Sequence, residues 1–136
     1  MALETAFTMD TSSVKYGMGV TREVGFDMKS LGARRVMMVV DPAMAKSETA
    51  LITLKALTDE AIDAVIYDAV HVEPTDVSFK EAARFAAEGK FDGYVAIGGG
   101  STMDTTKAAN LYSTYPADFL TYVNAPIGMG QPVPGR

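Results

Sequence analysis

The chain has 136 residues, 48% of them hydrophobic and 21% charged, the balance of one ordinary folded domain rather than a disordered segment. A net charge of −5 speaks against a nucleic-acid partner, because such partners select a basic surface that displaces condensed counterions. There is no cysteine, so disulfides, thiolate zinc sites and a cysteine nucleophile are excluded.

The first ten residues, MALETAFTMD, lack a basic start followed by an apolar stretch, and no segment is long enough to cross a bilayer. A protein of the cytoplasm is expected, with no membrane partner. Thr5–Met9 and Val14–Tyr16 flank the polar Asp10-Thr11-Ser12-Ser13, which predicts an N-terminal β-hairpin within residues 1–17. Val20, Val24, Met28 and Leu31 then recur at helical spacing ahead of Gly32, a plausible C-cap, so a helix is predicted over Thr21–Leu31.

Arg35–Val40 is the first strand, and its unbroken Val-Met-Met-Val-Val run suits a parallel sheet covered on both faces rather than a one-sided sheet. Leu51, Leu54 and Leu57 mark a helix, Ala64–Tyr67 a strand, and Phe79, Ala82, Ala83 and Ala86 a further helix ending near Gly89. Gly93–Ile97 is the third strand and Thr102–Tyr112 the helical stretch after it. This βαβ alternation over residues 18–122 predicts an α/β fold, a doubly wound and mostly parallel Rossmann-like sheet with helices on both faces. Residues 123–136, dense in glycine and proline, are expected to be a loop, and the whole chain one domain. Met28, Met37 and Met38 fall on apolar faces and are expected to fill the core.

Chemistry concentrates in Gly98-Gly99-Gly100-Ser101-Thr102-Met103-Asp104, between an apolar strand and a helix. Glycines let the backbone approach a phosphate closely, and the unpaired N–H groups and dipole at the helix start favour negative charge. Ser101 and Asp104 also have a plain structural account, since Ser-x-x-Asp is close to a capping box. Asp41 ends the first strand, at the edge where open α/β sheets bind ligands. A carboxylate there accepts hydrogen bonds from a ribose diol and repels a 2′-phosphate, favouring NAD over NADP; alternatively, Asp41-Pro42 merely starts a turn. Val72-Glu73-Pro74-Thr75-Asp76 reaches the same edge. His71 is the sole histidine and is expected to be a surface or packing residue rather than a ligand, since one histidine cannot supply a usual catalytic metal site.

The stretch Tyr94–Tyr112 resembles the GGGSxxDxxK signature of the iron-containing (group III) alcohol dehydrogenase family. Val72–Asp76, Ala117–Leu120 and Ala125–Gly128 are most similar to its hydroxyacid–oxoacid transhydrogenase-like branch. The resemblance covers nearly the whole chain. It implies an N-terminal nucleotide-binding domain that places Asp41 at the adenosine ribose, Gly99, Gly100 and Ser101 at the pyrophosphate, and Asp104 in support of that loop. The candidate NAD(H)-binding set is Asp41, Pro74, Thr75, Gly98, Gly99, Gly100, Ser101, Thr102 and Asp104. Glu73 departs from the family, where many members carry asparagine.

In the family Fe²⁺ or another divalent ion sits in a C-terminal helical domain, on one aspartate and three histidines. That domain and the threonine-rich segment before it are expected to lie beyond Arg136. The expectation is therefore a truncated NAD-dependent alcohol dehydrogenase that passes hydride between an alcohol or hydroxyacid and nicotinamide, with little or no metal-dependent activity unaided. The alternative is a catalytically silent fragment that forms homo-oligomers through surface the absent domain would cover.

Overall fold

Val36, Met37, Met38, Val39 and Val40 have no solvent exposure and form the middle of a three-stranded parallel sheet. The fold comes from a computed structural model that describes residues 11–134. The strands are β1 (Arg35–Val40), β2 (Asp63–Tyr67) and β3 (Gly93–Ile97), in the order β2-β1-β3. Met38 of β1 lies in register with Ile66 of β2 and Val95 of β3.

Successive side chains of β1 point to opposite faces, and each face has its own core. Val36, Met38 and Val40 pack with Ala50, Leu57 and Ile62 on one side; Met37 and Val39 pack with Tyr67, Ala82, Ala86 and Ala109 on the other. The expected two-sided cover is thus present. Each such fully buried Val or Met contributes about 1.5–3 kcal/mol of transfer free energy.

The helices are α1 (Val24–Ser30), α2 (Glu48–Asp59), α3 (Asp76–Gly89) and α4 (Gly100–Thr114). The helix expected over Thr21–Leu31 is divided: Val20–Glu23 is a 3₁₀ turn that leads into α1, the tightening common at helix ends. Gly32, at φ +84°, closes α1 with two bonds, its own N–H to the Lys29 carbonyl at 2.9 Å and the Ala33 N–H to Met28 at 3.0 Å. This is a Schellman end, and it confirms the glycine as a stop signal.

α1 and α2 approach so closely that a Cβ on Gly25 would lie 2.0 Å from the Ala56 carbonyl oxygen. The face of α2 that carries Ala50 and Leu57 packs on β1. Ala50, Thr53, Ala56 and Leu57 turn inward while Leu51 is 61% exposed, so the leucine stripe only partly coincides with the buried face.

At the other sheet edge the Asp92 carboxylate accepts the N–H groups of Arg34 at 3.0 Å and Arg35 at 2.8 Å. The backbone bond from Arg35, followed by that from Arg34, holds this carboxyl below its ordinary pKa. Of the expected hairpin, Thr5–Met9 lies outside the described residues. Val14–Tyr16 forms no strand and is exposed. Residues 123–134 carry no helix or strand and are tied back by Met129 N–H to Leu120 and Gly130 N–H to Val123, both at 2.8 Å. No helix among the described residues is long and apolar enough to cross a membrane.

Candidate functional site

The order β2-β1-β3 means the chain leaves β1 for one neighbour and then crosses to the other. The reversal opens a crevice between the carboxyl ends of β1 and β3, where ligands bind in sheets of this kind. Asp41 follows β1 and Gly98 follows β3. The two are joined directly, the Asp41 N–H donating to the Ile97 carbonyl at 2.9 Å. Asp41 also starts a turn: its Oδ1 accepts the Ala43 N–H at 2.8 Å and caps the 3₁₀ turn Pro42–Met44.

Gly98 sits at φ +152°, and a Cβ there would lie 2.4 Å from Thr102 Oγ1 and 3.0 Å from Asp41 Cβ. Beyond it the turn is open, since a Cβ on Gly99 or Gly100 would meet nothing within 4 Å. Gly99 is the N-cap of α4, and no side chain caps it. The anticipated Ser101–Asp104 capping box is therefore not formed. The helix begins at Gly100, which puts Ser101 inside the first turn and leaves Asp104 exposed beyond it. Open space in front of first-turn amides that no side chain caps is what a phosphate group requires.

The connection from β2 to α3 is drawn to the same place, because the Ser101 hydroxyl donates to the Val72 carbonyl. Pro74 is partly buried in that connection. Thr75 is the N-cap of α3: its Oγ1 accepts the Ser78 N–H at 3.2 Å, and the Ser78 hydroxyl oxygen accepts the Thr75 N–H at 2.9 Å. The structure thus gathers Asp41 and Gly98 to Thr102 at one sheet edge, tethers the segment carrying Pro74 and Thr75 to it, and employs the Thr75 hydroxyl in holding a helix. A cleft of about 410 Å³, lined by Thr21, Val24, Met44, Thr53 and Gly98 among others, opens beside the turn. A groove between α3 and residues 116–119, lined by Phe79, Tyr112 and Phe119, holds none of the candidate residues.

Sequence reasoning missed two features. One is the Ser101 bond to a main-chain carbonyl. The other is Thr102, fully buried with an Oγ1 that has no hydrogen-bond partner. A buried orphan hydroxyl costs about 1–3 kcal/mol, whereas an isosteric methyl costs nothing of the kind. Thr102→Val is accordingly expected to raise the unfolding free energy of the ligand-free chain by about 1 kcal/mol, seen as a higher urea midpoint. A lower midpoint would show that the hydroxyl has a partner after all.

No group of three or more His, Cys, Asp or Glu side chains comes together among the described residues, and His71 is exposed. These described donors do not fit a catalytic metal.

An open, parallel α/β sheet with a glycine turn at its crossover is a Rossmann-like arrangement. The model of the iron-containing alcohol dehydrogenase family matches residues 11–134, and the chain belongs to that family. Hydroxyacid-oxoacid transhydrogenase, mitochondrial, from Homo sapiens is 52% identical over 129 residues, spanning 94% of this chain and 28% of the relative. The chain thus spans little more than a quarter of the length of that relative. Among solved structures, NADH-dependent butanol dehydrogenase A from Thermotoga maritima has a TM-score of 0.76 at 23% identity, over 85% of this chain and 29% of that one. Sulfoacetaldehyde reductase from Bifidobacterium kashiwanohense in complex with NAD⁺ has a TM-score of 0.74 at 21% identity, over 89% and 32%. Both likenesses are of fold.

The expectation of a cytoplasmic protein does not stand, because the transhydrogenase relative is mitochondrial. It rested on the lack of a basic start followed by an apolar run, which argues only against a secretory signal. Mitochondrial leaders are amphipathic and follow a different pattern.

Proposed function

We propose that the chain is the NAD(H)-binding part of an oxidoreductase acting on an alcohol or hydroxyacid. The observation that carries this is the start of α4, where first-turn amides without a side-chain cap face open space at Gly99 and Gly100 beside Asp41. In this reading the pyrophosphate lies on those amides, and the Asp41 carboxylate accepts from the adenosine ribose. The same negative charge opposes a 2′-phosphate and favours NAD over NADP. Bound NAD supplies the hydride acceptor; the residues of this chain hold and orient it. The fold neighbour solved with NAD⁺ supports the cofactor, and the transhydrogenase relative supports a hydroxyacid as the reductant and a mitochondrial location.

Calorimetric titration of the chain with NAD and NADP tests the assignment. Wild type is expected to bind NAD more tightly, and Asp41→Gly to weaken NAD about tenfold, the effect of one charge-assisted hydrogen bond, while improving NADP. Failure of both nucleotides to bind wild type would refute the proposal.

A further inference from the structure

We propose that Ser101 is a positioning residue whose hydroxyl latches the β2–α3 connection onto the start of α4 and so shapes the phosphate seat without touching the phosphate. This rests on the NAD(H) assignment above and adds a distinct role to it. The Ser101 hydroxyl donates its one proton to the Val72 carbonyl, 29 residues away in sequence, so that proton is not available to a ligand. What Ser101 offers a phosphate is its backbone N–H.

On its upstream side the latched segment is anchored by Val70, buried in the core cluster that includes Ala109 of α4, but residues 71–73 have little of their own to hold them. The Val72 side chain is 81% exposed, and His71 and Glu73 are exposed beside it. Its next anchor is the Thr75–Ser78 capping box, which belongs to α3 itself. Between Val70 and that capping box, the Ser101 bond is what ties residues 71–73 to the start of α4.

The latch has a second effect. The Val72 carbonyl is an acceptor held at the very helix end whose amides await an anion. Bonded to the Ser101 hydroxyl, it is satisfied. Released, it can turn to the first-turn N–H groups and compete for them with a phosphate. Loss of the hydroxyl thus loosens the connection and admits an internal competitor at the same time.

The test compares wild type, Ser101→Ala and Ser101→Thr by NADH fluorescence titration, by backbone NMR order parameters at residues 71–73 and by thermal melting. Ser101→Ala is expected to weaken NADH about five- to tenfold, the range of one hydrogen bond, and to lower the order parameters of His71, Val72 and Glu73, with the melting midpoint unchanged. Ser101→Thr keeps the hydroxyl and should restore both affinity and order. Unchanged order parameters in Ser101→Ala overturn the latch; if affinity nevertheless falls, the hydroxyl meets the phosphate directly. Should wild type bind no nucleotide, the function proposal fails, while the order-parameter comparison still decides whether the latch exists.

Discussion

Gly98→Ala is expected to lower the unfolding free energy by about 3 kcal/mol and to remove nucleotide binding with it. Two costs add. The residue sits at φ +152°, which an L side chain rarely adopts, and the new methyl would stand 2.4 Å from Thr102 Oγ1, 2.8 Å from Thr102 Cβ and 3.0 Å from Asp41 Cβ. Strained backbone and overpacking each cost roughly 1–3 kcal/mol. Neither neighbour yields easily: Thr102 is buried in the first turn of α4, and Asp41 is held by its N–H to Ile97 and its Oδ1 on Ala43. Relief of the clash must part β1's end from β3's end. Urea unfolding gives the stability change, and a midpoint equal to wild type would show that the turn has room which the geometry denies.

Gly99→Val, one residue on, is expected to do the reverse: leave the fold standing and still weaken NAD about a hundredfold. The backbone there, at φ −88°, suits any residue, and a Cβ meets nothing within 4 Å. The cost to stability is the poorer N-cap, under about 1 kcal/mol. The side chain, however, fills the space in front of the first-turn amides. Losing one or two charge-assisted bonds of roughly 1.5–3 kcal/mol each accounts for the hundredfold loss. Calorimetry on a variant with a normal melting curve checks it. NAD binding at wild-type strength by such a variant would place the nucleotide elsewhere.

These adjacent glycines explain what the sequence could and could not show. A strand–glycine–helix pattern is legible because glycine at a turn is a residue-type signal, and so is an acid at the end of an apolar strand. β1 and β3 were readable to the residue, since five-residue apolar runs leave little choice of boundary. β2 was read one residue short: Asp63 faces Arg35 in register and pairs with its guanidinium, so the strand is extended by an ion pair where an apolar pattern has nothing to detect.

The helix starts were less legible. The serine–aspartate spacing at 101–104 suggested a capping box that the structure lacks. The box that does form, Thr75 with Ser78, uses serine where the pattern looks for a longer acid or amide. α4 itself begins two residues before the predicted Thr102, because Gly99 and Gly100, poor helix formers, take the cap and first positions. The Ser101 bond was invisible for a deeper reason: its acceptor is a main-chain carbonyl, which every residue has, on a segment remote in sequence. Leu51 marked its helix correctly and is nonetheless exposed, because spacing names a stripe and not how much of that stripe the sheet covers.

The bond from the Ala43 N–H to Asp41 Oδ1 has a consequence for the speed and economy of recognition. A surface carboxylate ordinarily samples several rotamers and loses about 0.5–1.5 kcal/mol of freedom when a ligand immobilises it. Asp41 is immobilised before any ligand arrives, by its own backbone two residues on. Under the proposed assignment, a ribose diol at Asp41 would meet an acceptor already aimed, with one oxygen engaged by Ala43 and the other left for the ligand. On that assignment, part of the entropy of binding is lost in folding, once, rather than at each encounter.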